Sequence, residues 1–210
     1  MFMTYHVTLP TQRSRPTPRQ LTQLGAGLLL YGVSIALMLA SGLGVDPWDV
    51  FHQGLSQRTG ISFGSVVIGI SLLVLLVWIP LRQRPGLGTV ANALLVGLVA
   101  DATLAVLPRP EMLSWQLLML TTGIVANGIA TGLYIGAGLG PGPRDGLMTG
   151  IAARTGRSIR LVRTIIELSV LATGWVLGGP VGVGTLLYAI SIGPIVQISI
   201  ARFSIREVSA

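Results

Sequence analysis

The sequence predicts an all-α, polytopic membrane protein of about six transmembrane helices in two inverted three-helix repeats. A short re-entrant or interfacial helix is expected after a Gly-Leu-Gly motif in each repeat. Three observations predict this. First, 51% of residues are apolar and only 10% are charged, against about 25% charged in an ordinary soluble domain, which leaves too little polar surface for water. Second, six apolar runs are long enough to cross about 30 Å of hydrocarbon, which takes about 20 helical residues. Third, the octet GLGVDPWD, Gly42 to Asp49, returns 96 residues later as GLGPGPRD, Gly138 to Asp145.

The elements follow in order. Residues 1–23 form a basic N-terminal tail containing His6, and the first span covers about 24–42. Its basic start resembles that of a signal peptide, but the long apolar run leads straight into the motif, so the span is read as retained. Spans at about 62–81 and 88–107 complete the first repeat, 24–107. Spans at about 114–137, 161–179 and 182–201 make the second, 108–201, and 202–210 is the C-terminal tail. The runs at 62–81 and 114–137 carry no charge, whereas the fifth span contains Arg163 and Glu167. All of this is one membrane domain.

Net charge is +7, all of the excess arginine. The arginines are scattered over loops between apolar runs, which suits topology and anionic lipid headgroups and does not suit nucleic acid. With an even number of spans and the N-terminus inside, the cytoplasmic segments hold twelve of the fourteen arginines, Arg144 among them; only Arg58 and Arg109 fall outside. The positive-inside rule then places both termini in the cytoplasm. Trp48, Trp115 and Trp175 are expected near the outer interface and Trp78 near the inner one, where amphipathic rings are favoured.

The offset of 96 aligns residues 27–101 with 123–197 without a gap. Gly42, Gly44, Pro47 and Asp49 meet Gly138, Gly140, Pro143 and Asp145. The RTG at Arg58–Gly60 meets that at Arg154–Gly156, and GLGT at Gly86–Thr89 meets GVGT at Gly182–Thr185. Shared lipid composition does not repeat RTG, so this is an internal duplication. Three spans per copy turn the second copy upside down, a plan that many secondary transporters use.

After each motif come some ten helix-compatible residues, WDVFHQGLSQ and RDGLMTGIAA. Pro47 and Pro143 suit a first helical turn, and Asp49 and Asp145 sit where a carboxylate can accept its free N–H groups. Two geometries fit. Either each short helix lies in the interface with its Asp as a cap, or the motif dips into the protein and the half-helix returns at RTG, so that both half-helix starts meet at depth. Asp49, His52, Gln53 and Ser56 share one helix face, a solvated face or the lining of a path with His52 as proton carrier. Met148 replaces His52 in the second copy.

Charges inside spans cost about 2.5–3.5 kcal/mol on insertion scales, so each needs a reason. Arg163 lies four residues before Glu167 and explains it as an ion pair. Asp101, whose repeat mate is Gln197, is a candidate cation or proton ligand. Asp49, His52, Asp101, Asp145 and Glu167 are thus the candidate solute, ion or proton path. Arg154, Arg157, Arg160 and Arg163 recur every third residue as a basic collar for anionic headgroups, or with Arg144 as an electropositive vestibule. Ala93-x3-Gly97 and Ala189-x3-Gly193 read as helix-packing pairs, and Gly193-Pro194 as a kink in the sixth span.

No catalytic residues, cofactor or metal site are assigned. Cysteine is absent, no Ser/His/Asp set converges, and GLGVDPWD lacks the Gly-Lys-Ser/Thr ending of a phosphate loop. The ordered set GLGVDPWDVFHQGLSQRTG, RPGLGTVANALLVGL, GLGPGPRDGLMTGIAARTG and GVGTLLYAISIGP resembles the YczE/YitT-like family of bacterial integral membrane proteins. The resemblance covers about residues 25 to 200; it implies a polytopic inner-membrane protein and carries over no binding residues. The expected function is a small secondary transporter or exporter of a small-molecule solute, and not an enzyme. The alternative is a non-transporting accessory or scaffold protein that stabilises or recruits a partner. A polar cavity lined by both motifs would favour the first, and a dry glycine-packed interior the second.

Overall fold

A computed structural model describes residues 15–205; His6, Arg13 and Arg206 lie outside the described residues. Among these are eight helices and no strand: α1 Pro18–Ser41, α2 Pro47–Thr59, α3 Phe63–Leu81, α4 Leu87–Val106, α5 Leu113–Gly136, α6 Pro143–Thr155, α7 Ile159–Val176 and α8 Val183–Phe203. Five of them, α1, α3, α4, α5 and α8, are long and apolar enough to cross a membrane. The chain is therefore a polytopic helical membrane protein, and its outer surface, with Ile79, Val106, Ile198 and Leu76 exposed, suits lipid. The remaining long helix, α7, carries Arg160, Arg163 and Glu167 within its 18 residues.

The core is α1 against α5. A Cβ on Gly27 would meet Ala130 and Tyr134, and one on Gly123 would meet Ser34 and Met38, so the two helices run antiparallel at backbone-to-backbone range. Each of those contacts becomes the other when 96 is added or subtracted. The same exchange holds one layer out: Gly32 of α1 packs on Val96 and Val99 of α4, and Gly128 of α5 packs on Ile192 and Ile195 of α8.

The Gly-Leu-Gly elbows are explained by what they hold. The N–H of Gly184, at the start of α8, donates to Leu43 O at 2.7 Å, and that of Gly88, at the start of α4, donates to Leu139 O at 2.8 Å. Gly44 and Gly140 have φ of +107° and +118°, and a Cβ there would strike the start of α8 or α4. Only glycine fits both demands. GLG thus recurs because G-x-GT recurs: each elbow clasps the first turn of the other copy's last helix.

The exchange fails in one place. α3 packs along α4, with Gly64 against Gly97, but α7 and α8 touch at most marginally. Ala93-x3-Gly97 is therefore a packing pair as expected, while Ala189 and Gly193 are exposed and not a packing pair. α8 runs unbroken through Pro194.

Candidate functional site

The two short helices begin at the same place. In α2 the N-cap is Asp46, whose Oδ1 accepts from the N–H groups of Trp48 at 2.8 Å and Asp49 at 3.0 Å. The sequence reading assigned this cap to Asp49; three residues into the helix, the Asp49 carboxylate points elsewhere. Its Oδ1 lies 3.1 Å from His52 Nδ1, one turn along. In α6 the N-cap is Gly142, which has no side chain to offer. Asp145 does not cap it either: its Oδ2 accepts from the Tyr134 hydroxyl at 2.6 Å.

Arg144 joins the two starts. Its Nη1 lies 3.5 Å from Asp46 Oδ1 and its Nη2 3.3 Å from Asp49 Oδ1, while the guanidinium carbon sits 5.2 Å over the Trp48 ring. An arginine in the first turn of α6 opposes that helix's own dipole; two carboxylates and an aromatic face from α2 offset this. Arg144 is therefore not one of the surface arginines of a cytoplasmic loop, as the charge count had it. Trp48 and Trp78 are buried: Trp48 lies under Arg144, and Trp78 donates its indole N–H to Pro143 O at 3.1 Å. Trp115 and Trp175 are exposed.

Asp49 and His52 are 0% and 1% exposed, whereas Gln53 and Ser56 on the same face are half-buried. Four buried polar atoms here have no partner: Asp46 Oδ2, Asp49 Oδ2, His52 Nε2 and Trp48 Nε1. Buried polar atoms left unpaired cost about 1–3 kcal/mol each.

Beside the junction lies a cavity of about 360 Å³. Gly142, Pro143, Arg144 and Asp145 form its base, and Tyr31, Tyr134 and Tyr188 line its sides. It extends along α8 past Gly193 to Gln197 and Ile200, with Arg163 of α7 on the opposite wall. It lies among α1, α3, α4, α5, α6 and α8, and Arg163 is the α7 residue on its lining. The second motif lines it directly; the first reaches it through Arg144.

The other predicted residues fall outside this site. Asp101 is a latch: its Oδ2 accepts from the Ser62 hydroxyl and its Oδ1 from the Gly64 N–H, both at 2.6 Å, tying α4 to the start of α3. Its mate Gln197 makes no such tie and lines the cavity. Glu167 accepts from Arg163 Nε at 2.8 Å. Arg154, Arg157 and Arg160 are exposed around the end of α6 and the start of α7. Among the described residues, no three His, Asp or Glu side chains gather as a metal site would require.

Asp46, Tyr31, Tyr134 and Tyr188 were not singled out by sequence. Asp46 had a signal, since Asp directly before Pro at a helix start is a typical cap arrangement. The tyrosines are scattered among apolar runs and had none.

The family model described as "Family of unknown function (DUF6198)" matches residues 18–201. An uncharacterized protein of Haemophilus influenzae is 43% identical over 170 residues, 81% of this chain and 78% of that protein. The uncharacterized membrane protein YczE of Bacillus subtilis is 37% identical over 180 residues, 85% and 83% of the two chains. The uncharacterized protein YyaS of the same organism is 31% identical over 167 residues, 78% and 83%. No solved structure matches.

Proposed function

The chain belongs to this YczE-like family of unknown function (DUF6198), and we propose that it is a small secondary carrier, not an enzyme, that moves a solute across the bacterial inner membrane by alternating access. In this reading α7 is the sixth span despite its charges, the two copies insert with opposite polarity, both termini are cytoplasmic, and α2 and α6 are re-entrant half-helices.

One observation carries the proposal: a cavity lined by Arg144, Asp145 and three tyrosines among apolar side chains sits at the meeting point of two short-helix starts, with α3 packed on α4 and α7 not packed on α8. Those two seams are equivalent under the repeat, so the molecule holds two possible gates and closes one. Exchange of the seams gives the opposite state: α7 closes on α8 while α3 parts from α4 at Asp101. Such an exchange is how inverted repeats alternate access around a fixed site. The exchanged contacts of Gly27 with Gly123 and of Gly32 with Gly128 support the inverted arrangement. The arginine bias, even without Arg144, supports the cavity opening toward the cytoplasm.

A cysteine at Thr131, half-buried on the cavity wall, tests this in a chain with no native cysteine. In membrane vesicles a membrane-impermeant thiol reagent should label Thr131→Cys from the cytoplasmic side. Adding Asp101→Asn, which releases the latch, should bring labelling from the opposite side. Labelling from one side only in both backgrounds would indicate a fixed cavity and favour the accessory-protein alternative.

A further inference from the structure

The charges around the cavity are unequal. Arg144, Asp145 and Arg163 are the charged side chains on its lining, and Asp46 and Asp49 stand behind Arg144 at the junction. A protonated His52 would leave its buried Nε2–H without an acceptor, so geometry favours the neutral ring and no further positive charge. Arg144 is already engaged by two carboxylates and the Trp48 face, and Arg163 by Glu167. Both arginines already have carboxylate partners, which weakens their pull on an anionic occupant.

Asp145 stands in the opposite position. It is half-buried and faces the cavity, and among the described residues it forms no ion pair; its one side-chain partner is the neutral hydroxyl of Tyr134 on Oδ2. Around it stand the rings of Tyr31, Tyr134 and Tyr188. Tyr31 and Tyr134 brace each other edge to face at 5.9 Å, and the Tyr188 hydroxyl is fixed to Asn127 Oδ1 at 3.1 Å. A carboxylate that no close ion pair neutralises, set among positioned aromatic rings, is an arrangement that binds alkylammonium groups, through charge and the ring quadrupole together. We propose that this cavity is a binding site for a small organic cation, an amine or quaternary ammonium, with Asp145 as its counter-ion. The identity of the cargo rests on the carrier reading; the binding site does not.

Purified full-length protein in detergent, titrated calorimetrically, tests the chemistry with three probes: benzyltrimethylammonium, its neutral carbon isostere and benzoate. The cation should bind and the other two should not, and Asp145→Asn should weaken the cation by at least about tenfold. Tyr134→Phe, which keeps the carboxylate and removes only its hydroxyl donor, should retain binding and so holds the test open if Asp145→Asn fails to fold. Binding of benzoate, equal binding of the neutral isostere, or no binding by the cation would overturn the proposal. Flux of the same cation into proteoliposomes separates the two readings: binding without flux keeps the cation site and removes the carrier, whereas flux of an anion keeps the carrier and removes the cation site.

Discussion

Arg144 Nη2 lies 3.3 Å from Asp49 Oδ1, across a gap of 95 residues in sequence, and this pair ties the start of α6 to the start of α2. The guanidinium also reaches Asp46, so a single side chain neutralises part of the charge that the first motif buries. Removal of Arg144 leaves two carboxylates, each under 4% exposed, without a cation. Stripping one partner from a buried pair costs about 3–5 kcal/mol. Arg144→Gln should therefore unfold well below the wild type in a detergent melt, and Arg144→Gln combined with Asp49→Asn should recover part of the loss.

Gly64 and Gly97 form the closest point of the α3–α4 seam, each with the other's carbonyl where a Cβ would go. Gly64→Val should wedge the seam apart. On the carrier reading, the Thr131→Cys reporter then gains labelling from the side it lacks in the wild type. Gly193→Val, at the repeat mate of Gly97 on the unsealed seam, meets nothing within 4 Å and should leave stability within about 0.5 kcal/mol.

Trp78 links α3 to α6 through its indole N–H and Pro143 O, and its ring occupies the space where Gly146 lacks a side chain. Trp78→Phe keeps much of the burial and loses the hydrogen bond, a cost of about 1 kcal/mol. Gly146→Leu drives a branched chain into the ring and should cost more, about 1–3 kcal/mol as overpacking does. Chemical denaturation of the two variants side by side checks the order.

Asp49→Asn and Asp145→Asn separate architecture from transport. Each keeps the shape of its side chain and removes its charge. On the carrier reading, either change abolishes flux while the protein still folds, as measured by size-exclusion profile and proteoliposome uptake. Flux equal to wild type in Asp49→Asn would remove that residue from the mechanism.

Much of the fold was legible because lipid imposes simple rules. Helix lengths, the two short helices and the repeat of motifs at an offset of 96 all follow from apolar runs and punctuation by glycine and proline. The predicted starts and ends lie within a few residues of the helices observed, the first span excepted, where α1 begins at Pro18, six residues before the expected start. What was not legible depends on contacts between the copies. Arg144 belongs to a stretch rich in arginine, and nothing local distinguishes the one that turns inward. Trp48 and Trp78 follow the composition of interface residues, yet the partners that bury them lie 96 and 65 residues away. The cap passed to Asp46 because Pro47, not Asp49, begins the helix. The unequal seams left only a trace, Asp101 meeting Gln197 and Gly64 meeting Arg160 at the offset of 96, within a gapless alignment that otherwise predicts equal packing.

The two clasps have a consequence for biogenesis. Leu43 is synthesised early, but the amide that satisfies its carbonyl belongs to Gly184 and leaves the ribosome only after four further long helices have been made. Throughout that interval the first half is an unfinished bracket whose exposed polar backbone must be hydrated or held by the insertion machinery. Chain release just before α8 should therefore yield a substrate for membrane quality control, and supplying the missing helix as a separate peptide should rescue it.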